Sequence, residues 1–96
     1  MHTYWVYRMT NVGNTVLYTG VTDNLRRRVA AHRNGTGSKF TSRYNVTKLV
    51  FYEVFGLIQD AIAAEKKIKA GSRARKVKLI ESVNPQWLDL DEQALG

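Results

Sequence analysis

Arg28 and His32 stand four residues apart in "LRRRVAAH" (Leu25–His32), and Glu65 stands in "IAAEKKIKA" (Ile62–Ala70). A guanidinium holds an anion with a forked, permanent charge. An imidazole moves protons near neutral pH, and a single carboxylate suits a hard divalent cation. On a helix with Leu25 as the reference, Val29 falls at about 40°, His32 at about −20° and Arg28 at about −60°. Arg28 and His32 therefore lean inward together, whereas Arg26 and Arg27, at about 100° and 200°, point toward solvent or phosphates. With Ile58 as the reference for a second helix, Ile62 lies at about 40°, Ala61 at about −60°, Ile68 at about −80° and Glu65 at about −20°. Glu65 is thus mid-stripe, where a carboxylate is costly to desolvate unless a cation, donors or a metal compensate it.

Two arrangements satisfy these wheels. Either Glu65 and Arg28 pair between helices or sit at a wet boundary, or Arg28, His32 and Glu65 border an open cleft that takes an anion and a metal. An inward histidine taken alone is also a common satisfied core group. Two phenols add to the set. Tyr7 shares a strand face with Trp5 and Met9, and Tyr18 lies on the facing strand. Each by itself is a packing aromatic whose hydroxyl reaches water. Gly20 either turns the chain or lets another group approach the backbone closely.

The elements that must position these groups follow from local patterns. "TYWVYRMT" (Thr3–Thr10) is aromatic and β-branched, "NVGNT" (Asn11–Thr15) has hairpin-turn composition, and "VLYTGV" (Val16–Val21) returns as a second strand. Asp23 is the expected N-cap of a helix from about Asn24 to His32, which Asn34-Gly35 ends. "NGTGSKFTSRYN" (Asn34–Asn45) reads as a basic loop. "KLVFYEVF" (Lys48–Phe55) is a third strand whose near-continuous apolar run predicts a central position covered on both faces. A helix is expected from Leu57 to Ala70, broken at Gly71, and Ser72 can cap a last helix to about Ser82, before Pro85. The expected fold is α+β in ββαβαα order, with a three-stranded antiparallel or mixed sheet flanked by helices.

The 96 residues, 44% of them hydrophobic, fit one domain, residues 1–96. With no cysteine, neither thiolate chemistry nor disulfides are available, which fits a reducing cytoplasm. No apolar run approaches the roughly 18 residues of a membrane span, and the N-terminus lacks the pattern of a signal peptide. A cytoplasmic protein without membrane contact is expected. The formal charge of +7 and a pI near 10.0 draw polyanions, with nucleic acid the first partner to consider.

One resemblance joins these residues. Trp5-Val6-Tyr7 and Tyr18-Thr19-Gly20, at hairpin spacing, followed by the arginine helix, "SKFT" (Ser38–Thr41), "AEKKIK" (Ala64–Lys69) and "NPQW" (Asn84–Trp87), resemble the GIY-YIG endonuclease superfamily over about nine-tenths of the chain. The short, basic, stand-alone bacterial group fits best. Trp5 replaces the opening glycine of the first motif and Thr19 the isoleucine of the second. Val21 stands where the excision-repair branch commonly has lysine.

The resemblance implies that Tyr7 and Tyr18 are the motif tyrosines, Gly20 the motif glycine, Arg28 the catalytic arginine and Glu65 the ligand of one Mg²⁺ or Mn²⁺ ion. His32 matches a position often held by His or Tyr, and Asn84 a motif asparagine. It implies phosphodiester hydrolysis by water, with DNA the expected nucleic acid. Arg28 would bind the scissile phosphate and Glu65 the metal beside the leaving oxygen. A tyrosine of pKa near 10 is only about 0.1% phenolate at pH 7, so the base needs a nearby cation. Tyr18 is the first choice, with Tyr7 bonded to it or to the water and His32 a competing base or relay. Exposed Arg26, Arg27, Lys39, Arg43 and Lys66 would hold the strand without reading sequence. The alternatives are a nucleic-acid-binding module without turnover and a protein-interaction module. Protein partners, oligomeric state and the preferred form of nucleic acid stay open.

Overall fold

The computed structural model describes residues 2–91. Its elements are β1 (Tyr4–Thr10), β2 (Leu17–Thr22), α1 (Leu25–Arg33), α2 (Lys39–Arg43), β3 (Lys48–Phe55), α3 (Ile58–Ala70) and α4 (Arg73–Val83). The expected ββαβαα order is present, with the short α2 inserted where a loop was expected. Ser38 starts α2 by accepting the Thr41 amide on its hydroxyl. The sheet is wholly antiparallel, in the order β2-β1-β3.

The expectation that β3 is the central strand is therefore wrong, because β1 holds that place. Val6 through Thr10 are buried without interruption, while Glu53 and Val54 of β3 are exposed. Arg8 and Thr10 are polar, yet both are fully buried there. The continuous apolar run of β3 has a different cause. A register shift between Arg8 and Met9 places Phe51 opposite Arg8 and Leu49 opposite Met9, so Val50 is the extra residue of a bulge. Val50 and Phe51 consequently join one apolar cluster, with Ile80 and Trp87, while Leu49 joins the other, with Tyr7, Met9, Leu25, Val29 and Val46.

Local chemistry explains the boundaries. Asn11 Oδ1 accepts the amides of Thr15 and Val16 at 2.8 and 3.1 Å, closing the hairpin turn, in which Asn14 takes a positive φ of 58°. Asn24, one residue after the expected Asp23, caps α1 by accepting the Arg27 amide at 3.1 Å. Asn34 ends that helix and Gly35 follows at φ +83°. Ser72 caps α4 as expected, accepting the Arg75 amide at 3.2 Å. α3 packs on β1 and β2, and α4 on β3. Among the described residues no helix is long and apolar enough to cross a membrane.

Candidate active site

Tyr7 lies in the middle of the central strand and is fully buried, opposite Gly20 of β2. Of the two roles open to Gly20, close approach is the one observed. A Cβ built there would stand 2.6 Å from the Tyr7 hydroxyl and 2.7 Å from Cζ, so only glycine leaves room for the phenol. The Tyr7 hydroxyl is 2.8 Å from His32 Nε2, and Arg28 Nε donates to it at 3.4 Å. The two α1 residues that the wheel turned inward thus meet on one strand-borne phenol.

His32 is also buried, and its other nitrogen, Nδ1, is 2.8 Å from Thr41 Oγ1. Thr41 has its own acceptor in the Ser38 carbonyl, at 3.3 Å. The Ser38 hydroxyl also lies 2.9 Å from Thr41 Oγ1, so either hydroxyl can donate to the other, and the His32 tautomer follows from which one does. Burial, with Arg28 adding to it, lowers the His32 pKa to about 4, so the ring is neutral at pH 7. Burial pushes the Tyr7 phenol well above its ordinary value against the pull of Arg28, and keeps it protonated. The hydrogen bond to Tyr7 raises the Arg28 pKa, against the opposing effect of burial.

Tyr18 completes this group. Its ring lies 6.2 Å from that of Tyr7 and 5.0 Å, edge on, from that of His32. Its phenol is close enough to act on both Tyr7 and Arg28. Phe40 of α2 stacks on its outer side at 6.1 Å, Tyr44 follows at 5.0 Å, and Arg43 lies over the Tyr44 ring. Arg28 opens onto a cleft of about 530 Å³, bordered by Tyr4, Val21, Asn24, Arg27 and Ile58. Tyr7, Tyr18, Arg28, His32 and Gly20 are therefore brought together.

Glu65 is placed differently. The buried side of α3 is centred on Ala61 and Ile68, while Ile58 and Ile62 are 39% and 38% exposed. The stripe is rotated away from Ile58, which leaves Glu65 at its half-buried margin. Its carboxylate accepts from Lys69 Nζ at 3.1 Å, and among the described residues no ion pair joins it to Arg28. Glu65 sits at a wet boundary, while Arg28 bonds to Tyr7 and opens onto the cleft. Ile58, at the start of the same helix, borders the Arg28 cleft, and Lys69, near its end, borders a recess with Tyr18. Among the described residues no cluster of three or more His, Cys, Asp or Glu could hold a metal. One margin carboxylate, shared with an exposed lysine, would suit a Mg²⁺ or Mn²⁺ ion that keeps most of its waters.

The remaining expected residues lie around this centre. Arg26, Arg27, Lys39, Arg43 and Lys66 are all exposed. Asn84 is buried as the C-cap of α4. Its Nδ2 donates to the Val50 and Leu88 carbonyls at 3.0 and 2.8 Å, and its Oδ1 accepts the Leu88 amide at 3.0 Å. Its polar atoms are spent on fastening the chain after α4 to β3, away from the tyrosine group. Thr41 and Gly37 were missed by sequence reasoning. A Cβ on Gly37 would overlap His32 Nδ1, so this glycine makes space for the imidazole as Gly20 does for the phenol. "SKFT" was noticed for its resemblance only, and the capping pattern at Ser38 was the available signal for Thr41.

Residues 3–78 match the GIY-YIG catalytic domain. A UPF0213 protein of Clostridium perfringens is 44% identical over 66 residues, covering 69% of this chain and 71% of its own. Another, of Staphylococcus haemolyticus, is 38% identical over 81 residues, covering 84% and 98%. The solution NMR structure of a UPF0213 protein from Bacillus halodurans superposes with a TM-score of 0.60 at 24% identity, covering 98% of this chain and 99% of that one, and shares its fold. With the two motif tyrosines, the motif glycine and the helix arginine assembled on one side of the sheet, the chain belongs to the GIY-YIG family.

Proposed function

We propose that this chain is a single-domain, metal-dependent endonuclease that hydrolyses phosphodiester bonds in nucleic acid, with DNA as its substrate. The family is one of nucleases in general. The observation that carries the specific reading is the Tyr7 hydroxyl, bonded to His32 and Arg28 beside Tyr18 and facing a glycine that nothing larger could replace.

Tyr18 is the base in this reading. Tyr7 is fully buried with its hydroxyl held between His32 and Arg28, and His32 has both ring nitrogens engaged, whereas Tyr18 is half-buried and borders an open recess. Tyr18 takes the proton of the attacking water. Arg28 binds the scissile phosphate with its permanent charge. Tyr7 holds the Arg28 Nε, so the rest of the guanidinium is presented at a fixed angle. Glu65 would hold a Mg²⁺ or Mn²⁺ ion, whose bound charge supports departure of the leaving oxygen. Arg26, Arg27, Lys39, Arg43 and Lys66 add sequence-independent contacts to the backbone.

The test is nicking of supercoiled plasmid with Mg²⁺ or Mn²⁺ by the wild type, Glu65→Ala and Arg28→Ala. Activity in the wild type alone supports the reading, and equal activity in all three marks a contaminant. A second reading, a nucleic-acid-binding module without turnover, is favoured by the Glu65–Lys69 pair, which ties up the carboxylate that would hold the metal. It predicts salt-sensitive binding that survives Glu65→Ala and no cleavage with either metal.

A further inference from the structure

Arg8 is a buried cation that this chemistry does not use. It sits in β1 next to Tyr7, so its side chain emerges on the opposite face of the sheet, fully buried. Nε donates to Thr19 Oγ1 at 3.1 Å and Nη1 to the Lys76 carbonyl at 3.0 Å, while the buried Nη2 has no partner among the described residues. A buried guanidinium is ordinarily matched by a carboxylate. Among the described residues none lies within ion-pair distance of this one. Its neighbours add positive charge instead. Arg8 lines a recess of about 270 Å³ with Lys69 and Lys76, walled by Tyr18 and Phe40. Burial, followed by the charge of Arg73, lowers the Arg8 pKa to about 10, so the group is still a cation at neutral pH.

We propose that the recess formed by Arg8, Lys69 and Lys76 is a second anion subsite, which binds a nucleic-acid backbone phosphate neighbouring the one cleaved at Arg28. The orphaned Nη2–H and two ammonium groups supply donors and charge, and the space accommodates a phosphate group. The inference rests on the nuclease reading for its neighbour, since Tyr18 borders both places. It also gives the Glu65–Lys69 pair a consequence. A phosphate in the recess competes with Glu65 for the Lys69 ammonium, so strand binding releases the carboxylate for its cation.

The experiment measures affinity for a fluorescent oligonucleotide in EDTA, where no cleavage occurs, across a KCl series. It compares wild type, Arg8→Met, the Lys69→Gln/Lys76→Gln pair and their combination. Arg8→Met is expected to bind about tenfold more weakly, with a salt slope shallower by about 0.7 to 0.9, the loss of one phosphate contact. In the lysine-variant background the same change should have much less effect, because the groups share one phosphate. Fully additive losses, or wild-type affinity in a folded Arg8→Met, would overturn the subsite. Because Arg8→Met removes a buried side chain, the wild type is also followed by NMR at the Arg8 Nε–Hε signal. That signal should shift as the oligonucleotide saturates, and a stationary signal overturns the proposal. Coupled binding without plasmid nicking leaves the subsite standing and removes the nuclease reading. Nicking with additive losses does the reverse.

Discussion

Gly20→Ala probes the packing on which the whole site depends. The added Cβ would stand 2.6 Å from the Tyr7 hydroxyl, 2.7 Å from Cζ and 2.9 Å from Cε1, where ordinary contact begins at 3.4 Å. The phenol must therefore retreat by about 0.8 Å. It has nowhere to go, because Tyr7 is fully buried in the central strand and its hydroxyl is tied to His32 at 2.8 Å. Overpacking of this kind costs about 1–3 kcal/mol, and breaking the buried Tyr7–His32 bond adds about 1 kcal/mol. At about 4–8 °C per kcal/mol for a domain of this size, melting should fall by about 8–32 °C. Differential scanning calorimetry reads this directly, and a double-mutant cycle assigns the cause. In the Tyr7→Phe background the hydroxyl contact disappears but the ring contacts remain, so Gly20→Ala should still destabilise. In the Tyr7→Leu background, where the ring is gone, most of the penalty should vanish. A Gly20→Ala protein that melts with the wild type, or a penalty unchanged by Tyr7→Leu, would refute the close-approach argument.

Further expectations follow from the same contacts. His32 has a folded pKa of about 4, below the ordinary imidazole value of about 6.5, so between these values the unfolded chain binds the extra proton. Stability to urea should fall as pH drops through that window, by up to about 1.4 kcal/mol per pH unit, and that limb should flatten in His32→Gln. Asn84→Ala removes three hydrogen bonds between α4, β3 and the following chain, and should cost about 2–3 kcal/mol in urea denaturation. Arg33 bridges Asp89 and Asp91 and donates to the Thr47 carbonyl, but these groups are 30–40% exposed. Arg33→Ala should therefore cost only about 1 kcal/mol, with the ion-pair share of that loss shrinking in high salt.

How much of this was legible in the sequence depended on whether the signal was local. Helix limits were legible because their stops and caps are chemical: Asn34-Gly35, Gly71 and Ser72 act within a few residues of where they stand. The inward turn of Arg28 and His32 was legible because helical spacing alone sets it. The order of the strands was not, since an arginine lay in the buried central strand and a bulge produced the continuous apolar run of β3. Glu65 shows how a wheel can mislead. Taking Ile58 as its centre placed the carboxylate mid-stripe, but small Ala61 provides the close contact and turns Ile58 and Ile62 outward. Thr41 and Gly37 matter through His32, several residues away in the chain; the Ser38 cap marks where Thr41 sits in α2, but nothing local joins either residue to the imidazole. The nine-residue separation of His32 and Thr41 belongs to tertiary packing.

The most direct test is single-turnover cleavage of an end-labelled DNA substrate with Mg²⁺ by the wild type and by Tyr18→Phe and Arg28→Ala, each with its melting temperature measured alongside. The account predicts cleavage by the wild type and losses of at least about a hundredfold in both variants, as for other single-group removals that strip proton transfer or charge stabilisation from a transition state. Cleavage at the wild-type rate by folded Tyr18→Phe and Arg28→Ala would contradict it.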